Sequence, residues 1–247
     1  MVERDRRKAI ATFYCEAPLA PGLPVQPSDD VLNHLRARRL GDGDDVRLTN
    51  GAGVLAEATV RARGKRDSEF AVSSVIEVPR PPAIHLCAPV ADRDRMLWLA
   101  EKASELAVSS WKGIRFRRSA SVTGRGEGAG FSARLRARMI SALEQSGGAW
   151  LPSVLPDDDL EAVASEPGTR IVLDVRGDAL RRVVGQNAAD GVTLLVGPEG
   201  GIEDDELALL QRSGWRAARL GSAILRFETA AVAAIGAIRA AQDSPES

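Results

Sequence analysis

From Ala83 to Gln242, short apolar segments alternate with longer segments whose apolar residues recur at helical spacing. The short segments include "AIHLCAPV", "KGIRFRRS", "RIVLDVRG", "VTLLVG" and "AARLG", and the longer ones include "RDRMLWLAEKASELAVS" and "ETAAVAAIGAIRAAQ". Strands that alternate with helices form parallel βα units, whose sheet is covered on both faces. The alternation therefore predicts an α/β domain built on a parallel sheet.

The segment before this alternation predicts a small β-rich unit. "ATFYCEA" and "EFAVSSVIEV" are typical of strands, and Asn50-Gly51 between two partly alternating runs indicates a hairpin. "PSDDVLNHLRARRL" predicts a short helix capped by Ser28 or Asp29. The three prolines in Pro79–Pro82 cannot continue a helix or a central strand. We therefore predict one domain over residues 1–78 and a second over 79–247.

Composition excludes several classes of protein. Hydrophobic residues make up 44% of the 247-residue chain and charged residues 27%, which is ordinary for a soluble globular protein. Cys15 and Cys87 lie far apart without a histidine cluster, which argues against a disulfide framework or a metal site. The charged N-terminus lacks an apolar segment, and no apolar run approaches membrane-spanning length. We expect a cytoplasmic protein with no membrane partner.

A basic stretch lies within a chain whose net charge is only -1. Between Lys112 and Met139, Glu127 is the only acidic residue. The cations there are Lys112, Arg115, Arg117, Arg118, Arg125, Arg134, Arg136 and Arg138. A local patch of this kind can bind phosphates even in a neutral protein. A solvated face in an arginine-rich chain explains it equally well.

A glycine-rich loop, "GPEGG" (Gly197–Gly201), follows the apolar strand segment and precedes an acidic helix. Ligands of open α/β sheets bind beyond the carboxyl ends of the strands, and glycine lets a backbone approach them closely. The loop matches neither common phosphate-binding pattern. The five carboxylates between Glu199 and Glu206 favour a cation or a neutral ligand over a phosphate. Taken alone, such a turn is more often structural.

A second loop repeats this arrangement in "RLGSAILRFETAA", Arg219–Ala231. Apolar Ile224 and Leu225 stand beside polar residues that precede or begin the last predicted helix. An apolar loop with a few fixed polar groups suits an aromatic base that carries a charged tail. Taken alone, Arg226 and Glu228 are more simply explained by a salt bridge or a helix cap.

In this order, "GPEGGIEDDEL" and "LGSAILRFETAA" resemble the two strongest motifs of the RsmE family. Its members are SPOUT-superfamily methyltransferases that act on 16S ribosomal RNA. Three weaker stretches agree in the same order. "NHLRARRLGDGDDVRLTNGAG" resembles the family's PUA-like domain, "DRMLWLAEKASELAV" resembles its Lys-Ala-Thr-Glu-Leu-Gly helix, and "ISALEQSGGAWLPSV" resembles its Glu-Gln-Ser segment. The resemblance covers most of the chain.

The resemblance implies a SPOUT-type α/β fold, with a parallel sheet, a C-terminal trefoil knot and a small N-terminal PUA-like β-barrel domain. It also implies a homodimer that uses S-adenosylmethionine to methylate N3 of a uridine in 16S rRNA of the small ribosomal subunit. The cofactor-binding candidates are Leu173, Val196, Gly197, Pro198, Gly200, Gly201, Leu220, Gly221, Ile224, Leu225 and Thr229.

The same resemblance suggests which side chains act on the base and which hold the RNA. Glu199, Arg226 and Glu228 are the catalytic candidates, because uridine N3 carries a proton that must leave and the base must be oriented or polarised. Which of them acts as the base stays open. The RNA-binding candidates are His34, Arg36 and Arg38 in the first domain and Arg115, Arg117, Arg118 and Arg125 in the basic stretch.

Two departures from the family pattern motivate an alternative. Ser222-Ala223 stands where the family usually has Pro-Arg, and Gly147-Gly148 stands where an arginine usually follows Glu-Gln-Ser. A non-catalytic RNA-binding protein that keeps the fold would bind RNA in a salt-dependent manner without cofactor affinity. A third hypothesis, a doubly wound enzyme that uses a nucleotide on small molecules, lacks the glycine fingerprints of that class.

Overall fold

The computed structural model describes residues 10–64, 67–121, 126–163, 166, 168–185 and 191–243. The chain divides into two compact units. The first contains Met1–Arg80 and Leu143–Leu151, and the second contains Pro81–Ala142 and Pro152–Ser247. Leu143–Leu151 groups with the first unit although it lies far along the chain, and no local pattern marks it.

The first unit is built on a five-stranded sheet in the order β1-β3-β4-β5-β2. Its strands are β1 (Thr12–Tyr14), β2 (Pro24–Val25), β3 (Asp45–Thr49), β4 (Val54–Ala62) and β5 (Ser68–Glu77). The predicted hairpin is confirmed, since β3 and β4 pair in antiparallel register. The Asn50 side-chain oxygen accepts the backbone N–H groups of Ala52 and Val54, which holds the connecting loop.

Helix α1 (Asp29–Ala37) covers one side of this sheet. Ser28 caps it, because its hydroxyl oxygen accepts the backbone N–H of Val31. Val31 and Leu35 share one helix face and pack into an apolar core that includes Phe13 and Phe70. The opposite face is polar and exposed.

The second unit contains a sheet in which every strand pairing is parallel. Its strands are β6 (Ile84–Pro89), β7 (Ser110–Arg115), β8 (Ser153–Val154), β9 (Asp158–Asp159), β10 (Thr169–Ala179), β11 (Val192–Val196) and β12 (Arg216–Arg219). The order is β12-β10-β11-β6-β7-β8, and β9 also pairs with β7. Central β11 is buried at every residue, which explains why all of its residues except Thr193 are apolar. The predicted parallel α/β domain is confirmed.

Helices lie on both faces of this sheet. They are α2 (Arg93–Glu105), α3 (Ala129–Ser146), α4 (Leu160–Val163), α5 (Leu180–Val184), α6 (Asp204–Arg212) and α7 (Phe227–Gln242). α4 and α6 pack on one face through Leu160 and Leu210, in a cluster with Cys87 and Leu195. α7 contacts α2, α5, β6 and β11. Among the described residues, no helix is long and apolar enough to cross a membrane.

Two local features differ from the predicted elements. The segment "KGIRFRRS" was expected to be a single strand, but β7 begins earlier and a 3-10 helix occupies Arg117–Ser121. β7 starts at Ser110 because this residue pairs with both neighbouring strands. The chain then turns, with the Ser119 N–H donating to the carbonyl of Phe116, and both of these residues are buried.

A bulge in β10 shapes the sheet edge. Leu173 and Asp178 both pair with Ala218 of β12, so residues 174–177 leave the ladder between them. Gly177 lies directly against β12, where an added Cβ would be 2.3 Å from the carbonyl carbon of Ala217. Only glycine fits this approach. The trefoil knot that the family resemblance implies stays a prediction.

Candidate functional site

A pocket of about 330 Å³ lies at the carboxyl ends of β10, β11 and β12. Three loops and the first turn of α7 surround it, and its lining is mainly apolar. Both loops singled out in the sequence, "GPEGG" and the apolar loop in Arg219–Ala231, contribute walls. The predicted residues that line it are Leu173, Val196, Gly197, Pro198, Glu199, Gly200, Gly201, Leu220, Gly221, Ile224 and Leu225. This position is where ligands of open α/β sheets bind.

The "GPEGG" loop makes a tight turn because its glycines allow close contacts. An added Cβ on Gly197 would be 2.6 Å from the Ile202 side chain, and one on Gly200 would be 3.1 Å from that of Arg118. Gly201 has a φ of 75°, and its N–H donates to the carbonyl of Pro198 at 2.8 Å. The loop is therefore both compact and shaped by glycine.

The acidic residues that follow the loop are neutralised by arginines from other elements. Arg117 pairs with Glu203 at 2.9 Å and also contacts Asp205 and Glu206. Hydrogen bonding to Arg117 lowers the pKa of the Asp205 carboxyl group. Asp204 pairs with Arg176 at 2.6 Å. The start of α6 is therefore not the free anionic surface that its sequence suggests.

Glu199 lies on the pocket wall and is held by an arginine of α2. Its carboxylate pairs with the guanidinium of Arg95, while Arg118 donates to the carbonyl of Gly200. The Glu199 side chain keeps 54% of its surface exposed. Two arginines thus hold the glycine loop from the segments that follow β6 and β7.

The other two catalytic candidates begin α7 and do not line the pocket. Arg226 is the exposed N-cap residue of the helix. Glu228 is buried in the first turn, and its Oε2 has no hydrogen-bond partner among the described residues. Thr229, a cofactor-binding candidate, is exposed on the same turn and does not line the pocket either.

On the third wall, formed by β10, the sequence reasoning named only Leu173. Asp174 and Val175 line the pocket from the β10 bulge. The Asp174 carboxylate accepts hydrogen bonds from the Arg176 side chain at 2.8 and 2.9 Å, which lowers the pKa of Asp174. One signal was available, since both residues directly follow Leu173, which was itself a cofactor-binding candidate. The remaining lining residues that were not predicted are Ile202, Ala218, Arg219, Ala223, Phe227 and Ala230.

The RNA-binding candidates occur in both units. His34, Arg36 and Arg38 are exposed on or just after α1. In the second unit, Arg115 lies 3.7 Å from Glu127 and 3.5 Å from Asp159, whereas Arg117 and Arg118 hold the glycine loop and α6 as described above. Arg125 lies outside the described residues. Their role in RNA binding stays a prediction.

No group of histidine, cysteine or acidic residues suited to a metal ion occurs in the described part of the chain. The pocket instead offers apolar walls, strand-end backbone groups and the carboxylates of Glu199 and Asp174. Such a lining suits a flat, mostly apolar group with a few polar atoms.

Comparison with protein families gives two matches along this chain. Residues 78–239 match the RNA methyltransferase domain model, and residues 27–72 match the RNA methyltransferase PUA domain model. The first match contains all three walls of the pocket, and the second contains α1, β3 and β4.

Individual relatives agree with these matches. The Ribosomal RNA small subunit methyltransferase E of Mycobacterium bovis is 33% identical over 92% of this chain and 90% of its own. The Neisseria gonorrhoeae enzyme of the same name, bound to S-adenosyl methionine, aligns with a TM-score of 0.84 and 28% identity over 94% and 97% of the two chains. A Legionella pneumophila methyltransferase structure with the bound cofactor SAM aligns with a TM-score of 0.85 and 26% identity. The alignment covers 95% of this chain and 98% of that one. The chain belongs to the ribosomal RNA small subunit methyltransferase E family.

Proposed function

We propose that this protein transfers a methyl group from S-adenosylmethionine to N3 of a uridine in 16S rRNA of the small ribosomal subunit. The observation that carries the proposal is the convergence of the "GPEGG" loop and the loop after β12 on one mainly apolar pocket, with Glu199 on its wall. Family membership points to the same reaction, since relatives are named for methylation of small-subunit RNA.

The residues present suit this cofactor. The mainly apolar walls fit an adenine ring, and the compact "GPEGG" turn presents backbone groups close to it. The carboxylates of Glu199 and Asp174 are compatible with the cationic sulfonium of the cofactor. A basic pocket would repel that charge. When bound, S-adenosylmethionine supplies an electrophilic methyl group.

The residues of this chain position the uridine base and assist the departure of its N3 proton. A bond forms between uridine N3 and the methyl carbon, the carbon–sulfur bond breaks, and the N3 proton leaves for solvent or a basic side chain. Because this is an in-line displacement, positioning supplies much of the rate. Glu199 accepts a hydrogen bond from N3–H and thereby favours the nucleophilic form of the base. Arg226 is exposed near the pocket, and its positively charged guanidinium binds the substrate.

We also propose that the active form is a homodimer. Exposed apolar side chains border the pocket, with Ile224 89% exposed, Val175 59% and Leu225 40%. Clustered exposed apolar residues mark interaction sites. Light scattering should therefore give about twice the chain mass of 26.3 kDa. A mass of one chain at micromolar concentration would contradict this part of the proposal.

The function is tested by methyl transfer to small subunits or 16S rRNA that lack the modification. We expect Glu199→Gln and Arg226→Ala to lower kcat by about 100-fold or more, the scale of general acid–base and electrostatic contributions. Circular dichroism and calorimetric binding of S-adenosylmethionine serve as controls for folding and the cofactor site. Full activity in both variants would refute the site assignment. RNA binding without cofactor binding in the wild type would favour a non-catalytic RNA-binding protein.

A further inference from the structure

The ion pair between Arg95 and Glu199 joins two neighbouring parts of the sheet edge. Arg95 lies in the first turn of α2, the helix that follows β6, and Glu199 lies in the loop that follows β11. β6 and β11 are adjacent, parallel strands. Because Glu199 lines the pocket, its partner Arg95 lies next to the pocket wall, although Arg95 is not itself a lining residue.

Arg95 is bound less extensively than the other arginines at this edge. In the described part of the chain, Glu199 is the one carboxylate within ion-pair distance of Arg95. Arg117 has three such partners, and Arg118 contacts both Glu203 and the Gly200 carbonyl. An incoming anion therefore displaces only one carboxylate to reach Arg95.

The pair is also accessible to solvent. The side chain of Arg95 is 32% exposed and that of Glu199 is 54% exposed. Exposed ion pairs contribute little net stability and are weakened by salt. An RNA phosphate binds a guanidinium through two parallel hydrogen bonds, and neutralising it releases condensed counterions. A phosphodiester group can thus compete with the Glu199 carboxylate for Arg95.

We propose that Arg95 is a phosphate-binding residue for the RNA substrate and that Glu199 occupies its guanidinium in the free protein. When a phosphodiester group binds beside the pocket, Arg95 moves from Glu199 to the phosphate. The Glu199 carboxylate is then free to accept a hydrogen bond from the base. This inference rests on the proposed function, because its ligand is the RNA substrate of that same site.

The exchange has a consequence that a simple substrate contact lacks. Because Glu199 and the phosphate compete for one guanidinium, removing the Glu199 charge strengthens RNA binding even though it slows methyl transfer. A carboxylate whose only role was to hold the base would weaken RNA binding on removal. The gain in RNA affinity on removing the Glu199 charge must also depend on Arg95. If the gain came only from weaker repulsion between protein and RNA, it would not require Arg95.

The test is a double-mutant cycle on equilibrium binding of a 16S rRNA transcript, without cofactor, at several salt concentrations. The proteins are wild type, Glu199→Gln, Arg95→Gln and the variant with both changes. Arg93→Gln is the matched control, since Arg93 is exposed on the same helix and forms no ion pair within the described residues. Arg95→Lys keeps the charge and controls for folding.

We expect Glu199→Gln to tighten RNA binding about three- to tenfold and Arg95→Gln to weaken it by a similar factor. Loss of one phosphate contact should also reduce the slope of log affinity against log salt by about 0.7 to 0.9. Glu199→Gln should not tighten RNA binding in the Arg95→Gln background. Arg95→Lys should retain most of the affinity, and Arg93→Gln should change it less than Arg95→Gln does.

Two results would overturn the exchange. The first is that Glu199→Gln tightens RNA binding as much in the Arg95→Gln background as in the wild type. The second is that the Arg95→Gln protein binds RNA no more weakly than the Arg93→Gln protein does. The cycle needs no turnover, so it is separate from the test of methylation. If the wild-type protein binds the transcript but transfers no methyl group to 16S rRNA, the proposed reaction is refuted. The role of Arg95 in RNA binding is then still tested by the double-mutant cycle. A wild type that does not bind RNA refutes both.

Discussion

Glu228 is the residue whose position is hardest to explain by stability alone. Its buried Oε2 has no hydrogen-bond partner among the described residues. Its place in the first turn of α7 gains about 0.3–1 kcal/mol from the helix dipole. An unsatisfied buried polar group costs about 1–3 kcal/mol, and more when it is charged. The cost exceeds the gain, but because Glu228 does not line the pocket, its catalytic role stays a prediction.

We therefore predict that Glu228→Gln raises the free energy of unfolding by about 1 kcal/mol, because the amide costs less to bury than a carboxylate. The same change should lower methyl transfer at least tenfold if Glu228 acts on the ligand. Urea denaturation and a methylation assay measure the two effects. A variant that is less stable and fully active would show that the carboxylate is structural.

Asp174 allows a prediction about pH. Hydrogen bonds from Arg176 lower the pKa of Asp174 in the folded protein below the ordinary value of 3.8. A lowered folded-state pKa gives stability that is fully present above the unfolded value and is lost as the pH falls through the folded one. The difference in unfolding free energy between wild type and Asp174→Asn should thus be constant above about pH 5 and shrink below about pH 4. A constant difference from pH 3 to 7 would contradict this.

At the scale of elements, the N-terminus of α6 depends on one buried carboxylate. Glu206 accepts the backbone N–H of Glu203 at 3.0 Å and that of Arg117 at 3.0 Å. It joins the first turn of α6 to the segment after β7, which the pocket loop also contacts through Arg118. The acidic run after "GPEGG" is therefore largely a structural device for holding the loop.

Glu206→Ala should lower the free energy of unfolding by about 1–3 kcal/mol, because two partly buried N–H groups lose their acceptor. Glu206→Gln keeps an oxygen acceptor and should cost less. Asp204→Ala is the exposed control on the same turn. Chemical denaturation ranks the three variants, and equal losses for Glu206→Ala and Asp204→Ala would contradict this account of the α6 start.

Helix α7 contains a glycine that its surroundings do not require. An added Cβ on Gly236 would meet no atom within 4 Å outside the helix backbone. Alanine is favoured over glycine inside a helix by about 0.5–1 kcal/mol, so Gly236→Ala should raise the unfolding free energy by that amount. A loss of stability, or a lower mass in solution, would mean that a partner surface packs against this position.

The elements also show which features local sequence predicts. The apolar runs and helical spacings predicted the parallel sheet, and Asn50-Gly51 predicted the hairpin, because both depend on neighbours along the chain. The β10 bulge depends on Gly177 packing against a strand far along the chain. The pairing of Arg95 with Glu199 likewise requires the order of the sheet. The glycine loops were visible in the sequence, whereas the groups that hold them were not.

At the scale of the whole molecule, a net charge of -1 gives RNA no overall attraction. In the second unit, arginines at the sheet edge are paired with carboxylates of the glycine loop and of α6. Affinity for RNA must then come from local contacts, including the proposed exchange of the Arg95–Glu199 ion pair for a phosphate. Such binding is specific to RNA surfaces whose phosphates can displace the carboxylates. Its affinity falls steeply as the salt concentration rises.

Methyl transfer to uridine N3 of 16S rRNA can be followed by the product itself. The most direct measurement incubates the protein with unmodified small subunits and S-adenosylmethionine that carries an isotopic methyl label, followed by mass spectrometry of the rRNA nucleosides. We expect label in 3-methyluridine alone, with one site per rRNA, and a large loss of label with Glu199→Gln. Label in another nucleoside, or none with folded wild type that binds the cofactor, would contradict it.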